Sequence, residues 1–398
     1  MTGERGAGLV FSVVLVVVSL YKLSIISSIL ESVYWIVLCL LFIMVLVVTL
    51  FWASEDCQHI LRMKWAMLLF FPLSLLLVSV YGGLIASKAA VYQMIILTLF
   101  LFVLVRVNND LLNQVKCSYI ATALFIAISG LGAWMLFSLG VNCFTWLGTL
   151  HDLGGYSNPV GEHIYAIPCG LGMVLANVDR ESSEIFGYFF FRASGWMAEP
   201  SMAAMFVAPA AICVMHSDHF KKVRYAAPIM LAFLIACASV ASFFAFSMTY
   251  VFVHLVILAR RRDWRRILLA ATATLVLFIF LPDIISFASS HSGYIRSKLS
   301  LNAPTLLATY AALGVGNGDV STILVIGYAY ALLVIFLSVK RLFINTTLNP
   351  FSLMAIYLVF HGAKGGWFHS IIDHFVMLIN IMMLRSSEVD RPGACYGN

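Results

Sequence analysis

The sequence predicts an all-α integral membrane protein with about twelve membrane-spanning helices, within 10–13, and two large outside loops carrying short helices. Three observations predict it. First, 62% of the 398 residues are hydrophobic and 11% are charged, whereas a soluble domain carries about 25% charged residues. So apolar a chain cannot hide its side chains in one core, and a bilayer is the solvent that suits it. Second, long charge-poor runs such as "LVFSVVLVVVSL" and "WIVLCLLFIMVLVVTLFW" do not alternate polar with apolar, as barrel strands would. Backbone groups in lipid must then be satisfied within helices. Third, Lys and Arg gather in every second connection, which is the signature of cytoplasmic loops.

Spans are expected at about 9–30, 33–52, 65–85, 90–106, 118–139, 201–216, 225–240, 243–259, 267–283, 321–339, 350–362 and 370–385. The first run has no small-residue cleavage site and is followed by a second span, so it reads as a retained helix rather than a signal peptide. The stretch 225–259 is either a hairpin turning at "ASVAS" or one long bent helix.

The basic connections are "LRMK" at 61–64, Arg106 with Lys116, "KKVR" at 221–224, "ARRRDWRR" at 259–266 and "KR" at 340–341, joined by Arg5, Arg385 and Arg391. The opposite connections hold only Lys88, Arg180, Arg192, Arg296, Lys298 and Lys364, while Lys22 sits within the first span. This bias places both termini in the cytoplasm. It leaves a single polytopic membrane domain over 1–398, with long outside loops at about 140–200 and 284–320. The net charge of +6 marks topology and does not point to nucleic acid. The eight cysteines show no CxxC pair or metal-ligand spacing. Cys143 and Cys169 both fall in the first outside loop, where a disulfide or two thiols are open readings.

Four polar constellations stand out. In "FFFRASGWMAEPSMAAMF", Arg192 and Glu199 flank the start of a helix at Pro200. Proline suits the first helical turn, and Glu199 would face the positive end of the helix dipole. One reading is a capped helix end with a snorkelling arginine. The other makes Arg192 the ligand of an anionic headgroup, since its planar fork grips phosphate oxygens bidentately. A second group, His291, Tyr294, Arg296 and Lys298, runs against the charge bias of an outside loop. It is either a solvated surface or a second clamp on the same anion.

The third is "HGAKGGWFHSIIDH", where His361, Lys364, His369, Asp373 and His374 meet at an outside lip. His369 and Asp373 are four apart and share a helix face. The spacing matches no familiar metal motif, so the expectation is no metal. Trp196, Tyr156 and Trp367 could stack on sugar faces or serve as interfacial anchors. The fourth, "GVGNG" at 314–318, is a Gly-rich turn without the lysine–serine ending of a P-loop.

The stretch "RASGWMAEPSMAAMFVAPAAI" resembles the Arg-x-Ser-Gly…Glu-Pro-Ser segment of O-antigen polymerases (Wzy type) and related exopolysaccharide polymerases, which group with the O-antigen ligases. "LGVGNGDVSTILVIGYAYALLVIF" resembles the Gly-x-Gly turn and helix that follow the family's second large periplasmic loop. The resemblance covers roughly residues 185–385. One departure is plain: the segment after the Glu-Pro helix reads "ASVASFFAFSM", without the family's frequent Arg-Gly or Thr-Gly pair.

The resemblance implies a bacterial inner-membrane glycosyltransferase. Its donor would be an undecaprenyl-diphosphate-linked oligosaccharide, and it would use no cofactor. Membrane lipid and a chain-length-regulating membrane protein are the further partners it suggests. Arg192, Arg296, Glu199 and His369 would be catalytic; Lys298, Tyr294, His291, Trp196, His361 and Lys364 would bind substrate. A ligase acting on lipid A-core is the alternative within the family, and a lipid-linked sugar flippase the alternative outside it. A flippase should carry charges deep in several helices and two similar halves.

Overall fold

The structure is a computed structural model. It describes residues 109–149, 162–166, 172–177, 184–185, 188–189, 191–197, 200–262 and 349–365, with isolated positions at 12, 265, 268, 272, 336, 340, 376, 379, 380 and 383. These residues are mostly helical. In chain order they form α1 (Asn109–Ser138), β1 (Thr145–Thr149), β2 (Glu162–Ala166), β3 (Met173–Asn177), β4 (Glu184–Ile185), β5 (Tyr188–Phe189), β6 (Arg192–Gly195) and α2 (Pro200–His216). A 3-10 turn (Asp218–Val223) leads to α3 (Ala226–Cys237), α4 (Val240–Arg260) and α5 (Pro350–Gly365). Two segments, Asn113–Ser138 and Ser242–Arg260, are long and apolar enough to cross a membrane. Apart from those isolated positions, the spans expected at 9–30, 33–52, 65–85, 90–106, 267–283, 321–339 and 370–385 lie outside the described residues, as does the loop 284–320.

α2 is the hub. Its residues Ala203 to Val214 are all buried, and it packs against α1, α3, α4, α5 and β6. Alanines at 203, 204, 208, 210 and 211 let neighbouring backbones approach closely, which replaces hydrophobic driving force where the solvent is itself apolar. Pro209 sits inside this helix and cannot donate to the carbonyl of Met205. One residue along, the Phe206 carbonyl accepts a 2.7 Å bond from the Tyr119 hydroxyl, and the two rings meet edge to face at 4.9 Å. A neighbouring helix thus supplies a donor at the proline-weakened turn.

The break between α3 and α4 settles the 225–259 segment as a hairpin. Ala238 adopts φ 47°, ψ 38°, the left-handed conformation that ends a helix, and its N–H bonds the Ile235 carbonyl. Ser239 then caps α4 by accepting from the Ser242 N–H at 3.4 Å. α1 begins nine residues before the expected span: its polar first turns "NDLLNQVK" carry no hydropathy signal, yet Val115 and Lys116 within them are buried, as is Tyr119 just beyond.

The loop expected at about 140–200 departs from the sequence expectation. It was expected to carry short helices; its described elements are strands. β1, β2, β3 and β6 form one antiparallel sheet in that order, and β4 pairs with β5. The physical reason is length. Five-residue runs separated by Gly, Pro and Asn cannot offset the cost of nucleating a helix, whereas cross-strand pairing satisfies their backbone groups at once. β3 joins β6 through Leu175 opposite Arg192 and Val174 opposite Ala193.

The sheet rests on α1 through two glycines. A Cβ on Gly130 would lie 2.3 Å from Phe233 Cε2 and 2.9 Å from Gly195 Cα. Gly195 itself has φ +60°, and a Cβ there would meet Ile126 Cγ2 at 2.6 Å. Trp134 Nε1 donates to the Phe191 carbonyl at 2.7 Å, which fixes where β6 begins. β6 therefore lies alongside the last turns of α1 at one end of the bundle, the sheet end.

Candidate functional site

Four elements meet at the sheet end: β6, the first turn of α2, the α3–α4 turn and the later turns of α5. Arg192 enters from β6. It is only 8% exposed, and its Nε donates to the Cys237 carbonyl at 3.2 Å. Cys237 is the last residue of α3, so the guanidinium caps the negative end of that helix dipole. Neither sequence reading of Arg192 included this contact: the side chain is buried rather than snorkelling, and it caps α3 rather than the helix that follows it. The guanidinium's other edge carries the terminal nitrogens, the pair that grips phosphate bidentately.

Strand alternation puts Ser194 on the same face of β6 as Arg192. Ser194 is fully buried, and its Oγ has no hydrogen-bond partner among the described residues. Trp196, just past the strand, is half-buried. Its ring meets Phe125 edge to face at 5.1 Å, while its buried Nε1 also lacks a partner among the described residues. Pro200 then opens α2, whose 17 residues aim a positive dipole end and first-turn N–H groups at this same end of the bundle. The donors here are a guanidinium, a hydroxyl, an indole N–H and a helix N-terminus, a set suited to oxygen-rich, anionic ligands.

On the other side of the α3–α4 turn stands α5. Tyr357 donates from its hydroxyl to Ser242 Oγ at 3.3 Å, and Ser242 donates its backbone N–H to Ser239 Oγ. One helical turn beyond Tyr357, His361 lies 6% exposed. Its ring sits 5.7 Å from the Tyr357 ring at 32°, and neither ring nitrogen has a hydrogen-bond partner among the described residues. Arg192 and Tyr357, far apart in sequence, therefore reach the two sides of one junction, the end of α3 and the first turn of α4.

Glu199, His291, Tyr294, Arg296, Lys298 and His369 lie outside the described residues. Lys364 falls on α5 three positions after His361, a spacing that shares a helix face. Cys143 is a free thiol, and Cys169 lies outside the described residues. Among the described residues no group of three or more His, Cys, Asp or Glu could hold a metal ion.

Sequence reasoning missed Ser242 and Tyr357. The signal for Tyr357 was its position four residues before His361, which puts both on one helix face. The signal for Ser242 was the polar turn "ASVAS" itself. Compared with known proteins, the chain matches no family model, no curated protein and no solved structure.

Proposed function

We propose that the chain is a polytopic bacterial inner-membrane glycosyltransferase of about twelve spans. In this reading it polymerises undecaprenyl-diphosphate-linked oligosaccharide repeat units at the periplasmic face, with both termini cytoplasmic. The observation that carries the reading is a buried arginine. Arg192 lies at the end of the helical bundle that bears the sheet, near the start of α2 and two residues before Ser194, whose hydroxyl has no partner among the described residues. Buried cations in apolar helical bundles are costly and mark sites of function. Helix directions also agree with the charge bias: Lys221, Lys222 and Arg224, and Arg260 to Arg262, follow the C-terminal ends of α2 and α4, where His216 meets Tyr250, away from the sheet.

The chemistry asks little of the protein. The bond between the donor's C1 and its phosphate oxygen breaks, and the electron pair leaves on the lipid diphosphate. A hydroxyl of the incoming repeat unit forms the new bond to C1, and its proton passes to a base. Lipid diphosphate is already a good leaving group, so cationic stabilisation of the developing charge supplies the main help. Arg192, with Arg296 and Lys298 from the second loop, fills that role without a metal. Glu199 or His369 acts as base. Trp196, His291, Tyr294, His361 and Lys364 bind the sugars.

Deleting the gene in a strain that makes smooth lipopolysaccharide tests the reading. A core capped by one repeat unit is the expected result. Bare core with accumulating lipid-linked polymer would assign the ligase reaction instead. Loss of every outward-facing repeat unit would assign flipping.

A further inference from the structure

We propose that the chain thins the bilayer beside α3, on the sheet side, to a local hydrocarbon thickness of ~20 Å against the usual ~30 Å. The inference rests on the membrane-spanning part of the proposed function and is independent of glycosyl transfer. It starts from the length of α3, which has 12 residues. Arg224 just before the helix and Cys237 at its end are thirteen residues apart, ~20 Å at ~1.5 Å per residue, and any tilt shortens that span. Both ends are cationic. Lys221, Lys222 and Arg224 are exposed on the 3-10 turn, with Arg224 3.6 Å from Asp218. At the other end Arg192 bonds the Cys237 carbonyl. Lysines reach toward headgroups by snorkelling, whereas Arg192 is held by the backbone, so the shortfall falls on the sheet side. Between these ends one face of α3 is open: Tyr225 is 69% and Ile235 61% exposed, with Pro228 and Ala232 exposed between them. An apolar stripe with cations at its foot suits the acyl chains and phosphates of a lipid leaflet.

α1 provides a second ruler. Cys117 Sγ lies 3.8 Å from His219 Nε2 on the 3-10 turn, and a side chain on Gly130 would meet Phe233 and Gly195 at the sheet end. These two levels of α1 are again thirteen residues apart. Yet exposed Met135 and Leu139 carry its apolar face on past Gly130. From Ser118 to Ser138 α1 therefore suits hydrocarbon over ~31 Å. The bilayer is full at the outer face of α1 and shallow at α3. The four-stranded sheet occupies the missing depth. Open strand edges do not face hydrocarbon, so headgroups and water, rather than acyl chains, meet the sheet above Ile235.

The test places p-benzoylphenylalanine at Ile235, and separately at Tyr225, in the full-length protein in nanodiscs of dioleoyl phosphatidylcholine. Ultraviolet light links each site to its neighbour, and mass spectrometry locates the adduct. Tyr225 lies at the membrane surface nearer the 3-10 turn and should label lipid near the glycerol. Ile235 stands ten residues, ~15 Å, further along. In a bilayer of ordinary thickness that depth is the midplane, where adducts form at acyl chain ends. The expected result is adducts near the glycerol of the opposite leaflet. The unsubstituted protein gives a second reading, in nanodiscs of phosphatidylcholines with chains of fourteen to twenty-two carbons. Its melting temperature should be higher by several degrees in the shorter chains, which match the short helix. Chain-end adducts at Ile235, or a melting temperature highest at eighteen carbons or more, would overturn the thinning. An adduct between Ile235 and another segment of the chain would show that protein covers α3, and would overturn it too. Release of the chain from membranes by alkaline carbonate would instead refute the membrane reading on which the inference rests.

Discussion

Arg192 and Cys237 are 45 residues apart, yet the Arg192 Nε donates to the Cys237 carbonyl at 3.2 Å. The bond ties the last strand of the sheet to the C-terminus of a helix in the bundle. It gives Arg192 a structural duty alongside any role in binding an anion. The two duties respond differently to substitution. On the proposed polymerase reading Arg192→Ala removes both, so polymer should vanish and stability should fall by ~1.5–3 kcal/mol, the worth of a hydrogen bond to a charged group. Arg192→Lys keeps a positive charge near the α3 carbonyls but loses the planar fork. It should hold its level in the membrane and its melting temperature near those of the parent while making little polymer. Lipopolysaccharide gels and detergent melting curves read the two effects separately. Normal polymer in Arg192→Lys would leave only the capping role.

Gly130→Ala tests the contact between sheet and bundle. The new Cβ would stand 2.3 Å from Phe233 Cε2 and 2.9 Å from Gly195 Cα. The ring can swing away, but the Gly195 backbone cannot move without shifting β6. Overpacking of this kind costs ~1–3 kcal/mol. The variant should therefore melt earlier, and Phe233→Leu added to it should recover part of the loss by opening space. Gly195→Ala should be worse, because it combines a 2.6 Å approach to Ile126 with φ +60°, a conformation that residues with a Cβ disfavour.

These contacts also show how much the sequence could tell. The start of α2 was legible because proline at a first helical turn is a local signal, and the α3–α4 break was legible because "ASVAS" interrupts an apolar run. The strands were not. "MVLAN" and "RASG" carry no clear alternation, and what makes them strands is pairing with each other and support from Gly130. Arg192 was legible as an anomaly, yet its partner is a backbone carbonyl, a group every residue possesses and no motif can mark. His361 stood out among its polar neighbours, while Tyr357 lies within the expected span 350–362 and nothing in that apolar run marks it.

Tyr119→Phe isolates the bond that steadies the proline-bearing turn of α2. The change keeps the ring and its edge-to-face contact with Phe206 at 4.9 Å but deletes the 2.7 Å bond to the Phe206 carbonyl. The net worth of such a bond is ~1 kcal/mol. Replacing Pro209 with Ala should lessen the penalty, since the restored N–H gives the turn its own closing bond. A double-mutant cycle on melting free energies measures that coupling directly. Strict additivity would show that Tyr119 acts independently of the proline.

Ser239→Ala addresses the turn between the end of α3, which Arg192 reaches, and the start of α4, which Tyr357 reaches. Ser239 Oγ accepts from the Ser242 N–H at 3.4 Å, so its loss uncaps α4, at a cost of ~1 kcal/mol. Asp at the same position caps equally well in an isolated helix, but here it would bring a carboxylate to the turn that Arg192 reaches. If that turn borders the anion-binding side, Ser239→Asp should preserve stability relative to Ala and depress polymer formation more strongly, because the added charge both attracts Arg192 and repels a diphosphate. If the turn serves packing alone, Asp should outperform Ala in both assays. Polymer length on gels, measured beside melting temperature for the two variants, distinguishes these outcomes.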